Sequence, residues 1–239
     1  MIFDPSKPPL TDSAGLLKSV PVEAGPEIWK RATRVISSGL CDLQVNGFAG
    51  VDYNDPTLMP EEFEKSLFAM LRTGVTTCLP TVITGSEDWQ IQCFHALEAG
   101  RNASKLAQAM IPGYHLEGPF LNPEEGFCGC HPTKWMRPAT LDHFERLQEA
   151  AGGRITLVTV APEIKGVLDL IPKLVEKGIA VAIGHCNPDR DTLLRAADAG
   201  VTLSTHLGNG IAQMLPKKDN PILGQLAEDR FSASFIADG

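Results

Sequence analysis

The chain has 239 residues, 43% of them hydrophobic and 21% charged, a composition ordinary for a globular protein of one large domain or two small ones. Acidic residues outnumber basic ones by 29 to 21, the net charge is −8 and no basic run exceeds Lys217-Lys218, so a nucleic-acid-binding face is not expected. Six cysteines are too sparse for a disulfide scaffold, no stretch nears the ~18 apolar residues of a membrane span, and the first residues lack the order of a signal peptide; a soluble, cytoplasmic protein is expected.

Residues 1–33 are rich in Pro, Ser and charge without a clear period, and read as a leader or the remnant of a small β domain ahead of a barrel domain over 34–239. From there, short β-branched runs alternate with stretches of helical period. The expected strands are 40–45, 75–83, 111–118, 155–161, 179–185, 201–206 and 232–238. Helices are expected at 60–73, 86–110, 140–150, 166–177, 189–199 and 222–229, several closing near a glycine such as Gly74, Gly178 or Gly200. In the first helix Phe63, Leu67, Met70 and Leu71 share a face. Strands with intervening helices argue for a parallel α/β architecture, open or closed. The strand starts average about 32 residues apart, and eight such units need about 256 residues, near the ~250 of a (β/α)8 barrel. A barrel of this kind would be incomplete, with about seven strands.

Polar residues collect where these strands end. Gln44 and Asn46 close the first, His115 and Glu117 the third, His185 the fifth, His206 the sixth and Asp238 the seventh. In a parallel barrel these ends open onto one face, where barrel active sites sit. Glu117, His185 and His206 supply one carboxylate and two imidazoles, the ligand set of a catalytic zinc that keeps one position for water. A barrel brings them to one ion, whereas an open sheet would spread them along a line. Any one such histidine alone reads as a structural residue. His95 and His143 lie inside helices and read as surface or packing residues, and His115 is a weak candidate ligand. The Cys128, Cys130, His131 segment lacks the second pair that a structural zinc site needs, and reads better as an active-site loop.

The stretches 39–55 (GLCDLQVNGFAGVDYND), 113–123 (GYHLEGPFLNP), 158–163 (VTVAPE), 182–186 (AIGHC), 204–210 (STHLGNG) and 235–239 (FIADG) together resemble N-acetylglucosamine-6-phosphate deacetylases of the amidohydrolase superfamily. HLEGPF and its following loop are the most specific part. The resemblance implies a metal-dependent (β/α)8 barrel with Glu117, His185 and His206 as metal ligands. It implies His131 as a loop histidine contacting the sugar, and Gly208 and Asn209 as sugar or phosphate contacts. Gln44 and Asn46 stand where many amidohydrolases carry His-x-His, so they are expected near the metal without being tight ligands, and one zinc ion rather than two is expected. The family's bulky residues around STHLGNG are replaced by Gly208, Gly210 and Ile211, and its phosphate-clamping basic residue has no clear match beyond nearby Lys217 and Lys218.

The expected reaction is hydrolysis of the N-acetyl amide of a small amino-sugar 6-phosphate, with a metal-activated water and a carboxylate that moves its proton. The resemblance places that carboxylate, an aspartate, beyond Gly239. Neither Asp42 nor Asp238 fits the role, so no catalytic acid is assigned within the chain. The complete form is expected to be a homodimer acting without nucleic acid or membrane. Two other readings are a different amidohydrolase (a deaminase or cyclic amidase), which would need a pocket fitted to a base or ring, and a catalytically impaired metal-binding fragment. Turnover of N-acetylglucosamine 6-phosphate with added zinc separates the three.

Overall fold

The computed structural model describes residues 38–236; the expected leader at 1–33 and Asp238 lie outside these described residues. Seven strands form one sheet in chain order: β1 Leu40–Val45, β4 Val75–Ile83, β5 Tyr114–Glu117, β6 Ile155–Val160, β7 Ala180–Ile183, β8 Leu203–Ser204 and β9 Ser232–Ala233. From β4 to β9 every adjacent pair is parallel. Helices Pro60–Leu71 (α1), Glu87–Ala103 (α2), Lys105–Met110 (α3), Leu141–Ala150 (α4), Val167–Glu176 (α5), Arg190–Ala199 (α6) and Pro221–Leu226 (α7) fill the connections. The order is that of a barrel, and among the described residues its sheet stays open between β1 and β9.

Period-two alternation assigns each strand's residues to two faces. Tyr114 and Leu116 of β5, with Val158 and Val160 of β6, join the large core built with the helices, where Phe63, Phe94, Phe144 and Leu147 are fully buried. The alternate residues face the other way: Leu157, Leu79 and Ala182 form a second, small apolar cluster with Leu43 and Leu203. His115, Glu117 and Thr159 share that parity, and the register sets Glu117 beside both Ile83 and Thr159. The strands therefore carry their polar groups on the face away from the helices, above a thin apolar layer.

Several boundaries move for identifiable reasons. The stretch 86–110 is two helices because the Ser104 side chain accepts from the Ala107 backbone N–H and donates to Glu64 Oε1 at 2.5 Å, starting a new helix with its own cap. Leu71 does not share the buried face of Phe63, Leu67 and Met70 but is exposed, since it lies one residue past Met70. Among the described residues, the stretches expected at 201–206 and from 232 pair over two residues each, Leu203–Ser204 and Ser232–Ala233; past Ser204 the chain turns, His206 having a positive φ of 30°. An unexpected antiparallel pair, β2 Gly47–Phe48 with β3 Val51–Asp52, turns through Ala49 and Gly50, both at positive φ.

Candidate metal centre

Glu117 ends β5, and His185 and His206 each lie two residues past the ends of β7 and β8. All three are buried, and one potential ligand atom from each lies within 4.8 Å of the others. His206 Nε2 is 2.9 Å from Glu117 Oε1, and His185 Nε2 is 3.4 Å from the same oxygen. His185 and His206 stack edge to face, ring centres 5.0 Å apart. Both hold left-handed backbone, φ 50° and 30°, a conformation costing on the order of 1–3 kcal/mol for residues with side chains. Such strain at two adjacent strand ends aims both rings at one carboxylate.

The hydrogen bonds fix the tautomer of His185. Its Nδ1 lies 2.8 Å from the Phe127 carbonyl oxygen, which can only accept, so Nδ1 carries the proton and Nε2 presents a lone pair to the cluster. Gly129 and Gly210 close over the same ring: a Cβ on Gly210 would sit 2.5 Å from His185 Nδ1, and one on Gly129 2.8 Å from Cε1. A side chain at position 210 would therefore collide with the His185 ring as it is held here. Burial works against charge on Glu117, but the surrounding imidazoles, His206 hydrogen-bonded to it and His185 and His131 close by, hold its pKa well below the ordinary value. Burial also opposes charge on His206, yet the bond to Glu117 and its negative charge raise that pKa.

His131 lies within the same cluster, its Nε2 3.6 Å from Glu117 Oε2 and its ring centre 4.4 Å from that of His185. Burial pushes its pKa down to about 4, so it is neutral near pH 7. The Thr84 backbone N–H points at Nδ1 from 3.4 Å and the Thr84 hydroxyl lies 2.9 Å from it, which makes Nδ1 an acceptor and leaves the proton on Nε2. That Nε2 is buried without a partner, as is Nδ1 of His206. An unsatisfied buried donor costs about 1–3 kcal/mol and marks a place for a ligand acceptor.

The other expected residues divide clearly. Gln44 Nε2 donates to Glu117 Oε2 at 2.8 Å, so it orients the carboxylate. Asn46 is exposed and joins the structure through its carbonyl, which accepts from Tyr53 N–H at 2.9 Å. His115 is taken up in the sheet: Nδ1 donates to the Leu43 carbonyl at 3.1 Å, Nε2 accepts from Thr159 Oγ1 at 2.7 Å, and burial lowers its pKa to about 4. Asp42 accepts the Gln44 N–H at 3.1 Å, a local contact. Gly208 and Asn209 are exposed on the loop after His206, Asn209 N–H donating to the His206 carbonyl at 2.9 Å. His95 is exposed, whereas His143 is buried and pairs with Glu87 at 2.7 Å. Among the described residues Glu117, His185 and His206 form the one cluster able to hold a metal; Cys128, Cys130 and His131 do not form a second.

Sequence reasoning missed Glu163. Its Oε1 accepts from Asn122 Nδ2 at 2.9 Å and from the Asn187 backbone N–H at 2.6 Å, while Asn122 N–H donates to the His185 carbonyl at 3.1 Å. One carboxylate therefore ties the loop after Glu117 to the loop after His185. Its Oε2 is buried and unpartnered, and burial raises its pKa. Glu163→Ala should cost about 1–3 kcal/mol of stability, because two donors lose their acceptor. Glu163→Gln keeps Oε1 and should be far milder. Because the folded pKa is raised, Glu163's own contribution is complete below its unfolded pKa and declines as pH rises through the folded value. The glutamine variant should remove that decline in thermal melts taken from acid to neutral pH.

A parallel α/β sheet in barrel order thus gathers one carboxylate and two imidazoles at its strand ends, the donor set of a metal-dependent hydrolase site. No family model matches the chain. The N-acetylglucosamine-6-phosphate deacetylase of Bacillus subtilis (strain 168) is 31% identical over 222 residues, covering 89% of this chain and 53% of the relative. The N-acetylgalactosamine-6-phosphate deacetylase of Shewanella sp. (strain ANA-3) is 32% identical over 213 residues, covering 88% of this chain and 52% of the relative. The crystal structure of N-acetylglucosamine-6-phosphate deacetylase from Pasteurella multocida superposes with a TM-score of 0.73 at 28% identity, covering 84% of this chain and 51% of that one. The chain is thus homologous to the N-acetylglucosamine-6-phosphate deacetylases and spans about half the length of the curated relatives it matches.

Proposed function

We propose that the protein of which this chain carries the metal centre removes the acetyl group from a 2-acetamido sugar 6-phosphate, with N-acetylglucosamine 6-phosphate as substrate. The observation that carries this reading is the convergence of Glu117, His185 and His206 beside the unpartnered His131 Nε2–H. One oxygen and two nitrogens within 4.8 Å suit a single zinc ion with an open position. A divalent ion held there supplies a Lewis acid and a water acidic enough to ionise near neutral pH.

The chain's own residues set the geometry around that position. Gln44 donates to one carboxylate oxygen and keeps the other turned to the histidines. His131, held by Thr84, donates from Nε2 to the acyl oxygen and stabilises the charge that grows there on hydrolysis. Gly208 and Asn209, exposed on the loop after His206, contact the sugar or its phosphate. The reading includes a homodimer in the complete form and a cytoplasmic setting, in keeping with six free thiols. Among the described residues no helix is long and apolar enough to cross a membrane.

The test is turnover by the zinc-supplemented protein of N-acetylglucosamine 6-phosphate, its galactosamine epimer, a cyclic amide and an aminated nucleobase. Release of acetate from the sugar phosphates alone supports the proposal. Turnover of only the cyclic amide or the nucleobase overturns it.

A further inference from the structure

Beside His131, a cavity of about 320 Å3 lies at the end of β4, walled by Ile83, Thr84, Trp89, Cys130, Pro132 and Trp135. Two of its lining residues, Thr84 and Cys130, connect it to the metal centre. Thr84 is the residue that holds His131 Nδ1, Cys130 is the neighbour of His131 in the chain, and Cys130 lies near enough to Glu117 to feel its charge. The Trp89 ring packs against Gly85, where a Cβ would meet it at 2.2 Å, so this wall needs position 85 to have no side chain.

The lining tells what fits. Its side-chain hydroxyls are already engaged: Thr84 Oγ1 with His131 at 2.9 Å, and Ser86 Oγ accepting the Trp89 N–H at 3.3 Å as the cap of α2. A second sugar ring would bring several hydroxyls that find few partners here, a desolvation penalty without return. Two indoles, a proline and an isoleucine instead favour hydrocarbon.

We infer that this cavity is a subsite for the acyl chain, and that the protein accepts N-acyl amino-sugar phosphates with acyl groups longer than acetyl. The inference rests on the proposed deacetylase reading for the placement of the acyl oxygen at His131. With the oxygen there, the acyl carbons run past Thr84 and Cys130 into the cavity. Two added methylenes are expected to tighten binding by about tenfold.

The experiment compares N-acetyl- and N-butyrylglucosamine 6-phosphate with the zinc-supplemented protein, by turnover and by tryptophan fluorescence titration. The expected result is a KM and a Kd about tenfold lower for the butyryl compound, with a fluorescence change larger than that given by the acetyl compound. Trp135→Ala should erase the difference while leaving the acetyl KM within about twofold, and Trp135→Phe should restore part of it; Trp135 is half-buried in a short 3-10 turn, and thermal melts check that both variants fold. Acetyl turnover with no tighter butyryl binding, or a preference that survives Trp135→Ala, overturns the subsite and leaves the deacetylase reading standing. Tighter butyryl binding that is lost in Trp135→Ala supports the subsite whether or not either compound is turned over. Tryptophan fluorescence that responds to neither ligand overturns the subsite whatever the turnover.

Discussion

His185→Ala and His206→Ala should each abolish stoichiometric binding of zinc, while the wild-type protein retains about one ion per chain through dialysis. Each imidazole is one of the three donors of the cluster, and the backbone around both is held in left-handed conformation. The loss should exceed that of any outer partner: Gln44→Ala, which removes only the donor to Glu117 Oε2, should weaken affinity by about 10- to 100-fold. The variants are compared by metal analysis after gel filtration, with circular dichroism to show that the fold persists. Full retention of zinc by either histidine variant, or two ions in the wild type, would count against the assignment.

His131→Ala should do the opposite. Metal content should stay near one ion per chain, and kcat on N-acetylglucosamine 6-phosphate should fall by about 100- to 1,000-fold, as removal of one preorganised oxyanion donor does. His131 is neutral with its proton on the atom facing Glu117, so its contribution is a directed N–H rather than a positive charge. His131→Gln, which can return an N–H to the same region, should recover part of the rate. Because burial puts the His131 pKa at about 4, its protonation should leave activity between pH 6 and 8 unaffected. A parallel loss of metal and activity in His131→Ala would make it a ligand instead.

The sequence makes the strand order and the polar ends legible because both depend on local pattern. Alternating β-branched runs and helical periods mark β1 at 40–45 and β4 at 75–83 to the residue. Glu117, His185 and His206 stand out because each follows an apolar strand core, where a polar side chain has only the barrel mouth to face. What stays hidden depends on contacts across the sheet. Nothing local distinguishes His115 from His185: one is consumed by Leu43 and Thr159, the other is held with its Nε2 free. Glu163 reads as a loop acid after VTVAP, and only the fold shows that it joins Asn122 and Asn187. The break at Ser104 is marked by a capping residue inside an otherwise continuous helical period, and the turn at Ala49-Gly50 by a glycine between Phe48 and Val51. Both signals are weak beside the longer periodicities around them.

One divalent ion is expected on Glu117, His185 and His206. Anomalous scattering at the zinc edge, recorded from crystals of the zinc-loaded protein, tests it most directly. A single strong peak is predicted, about 2.0–2.2 Å from one Glu117 oxygen and from one nitrogen each of His185 and His206. A peak at Cys128 and Cys130, two peaks at the strand ends, or none at these three residues would contradict it.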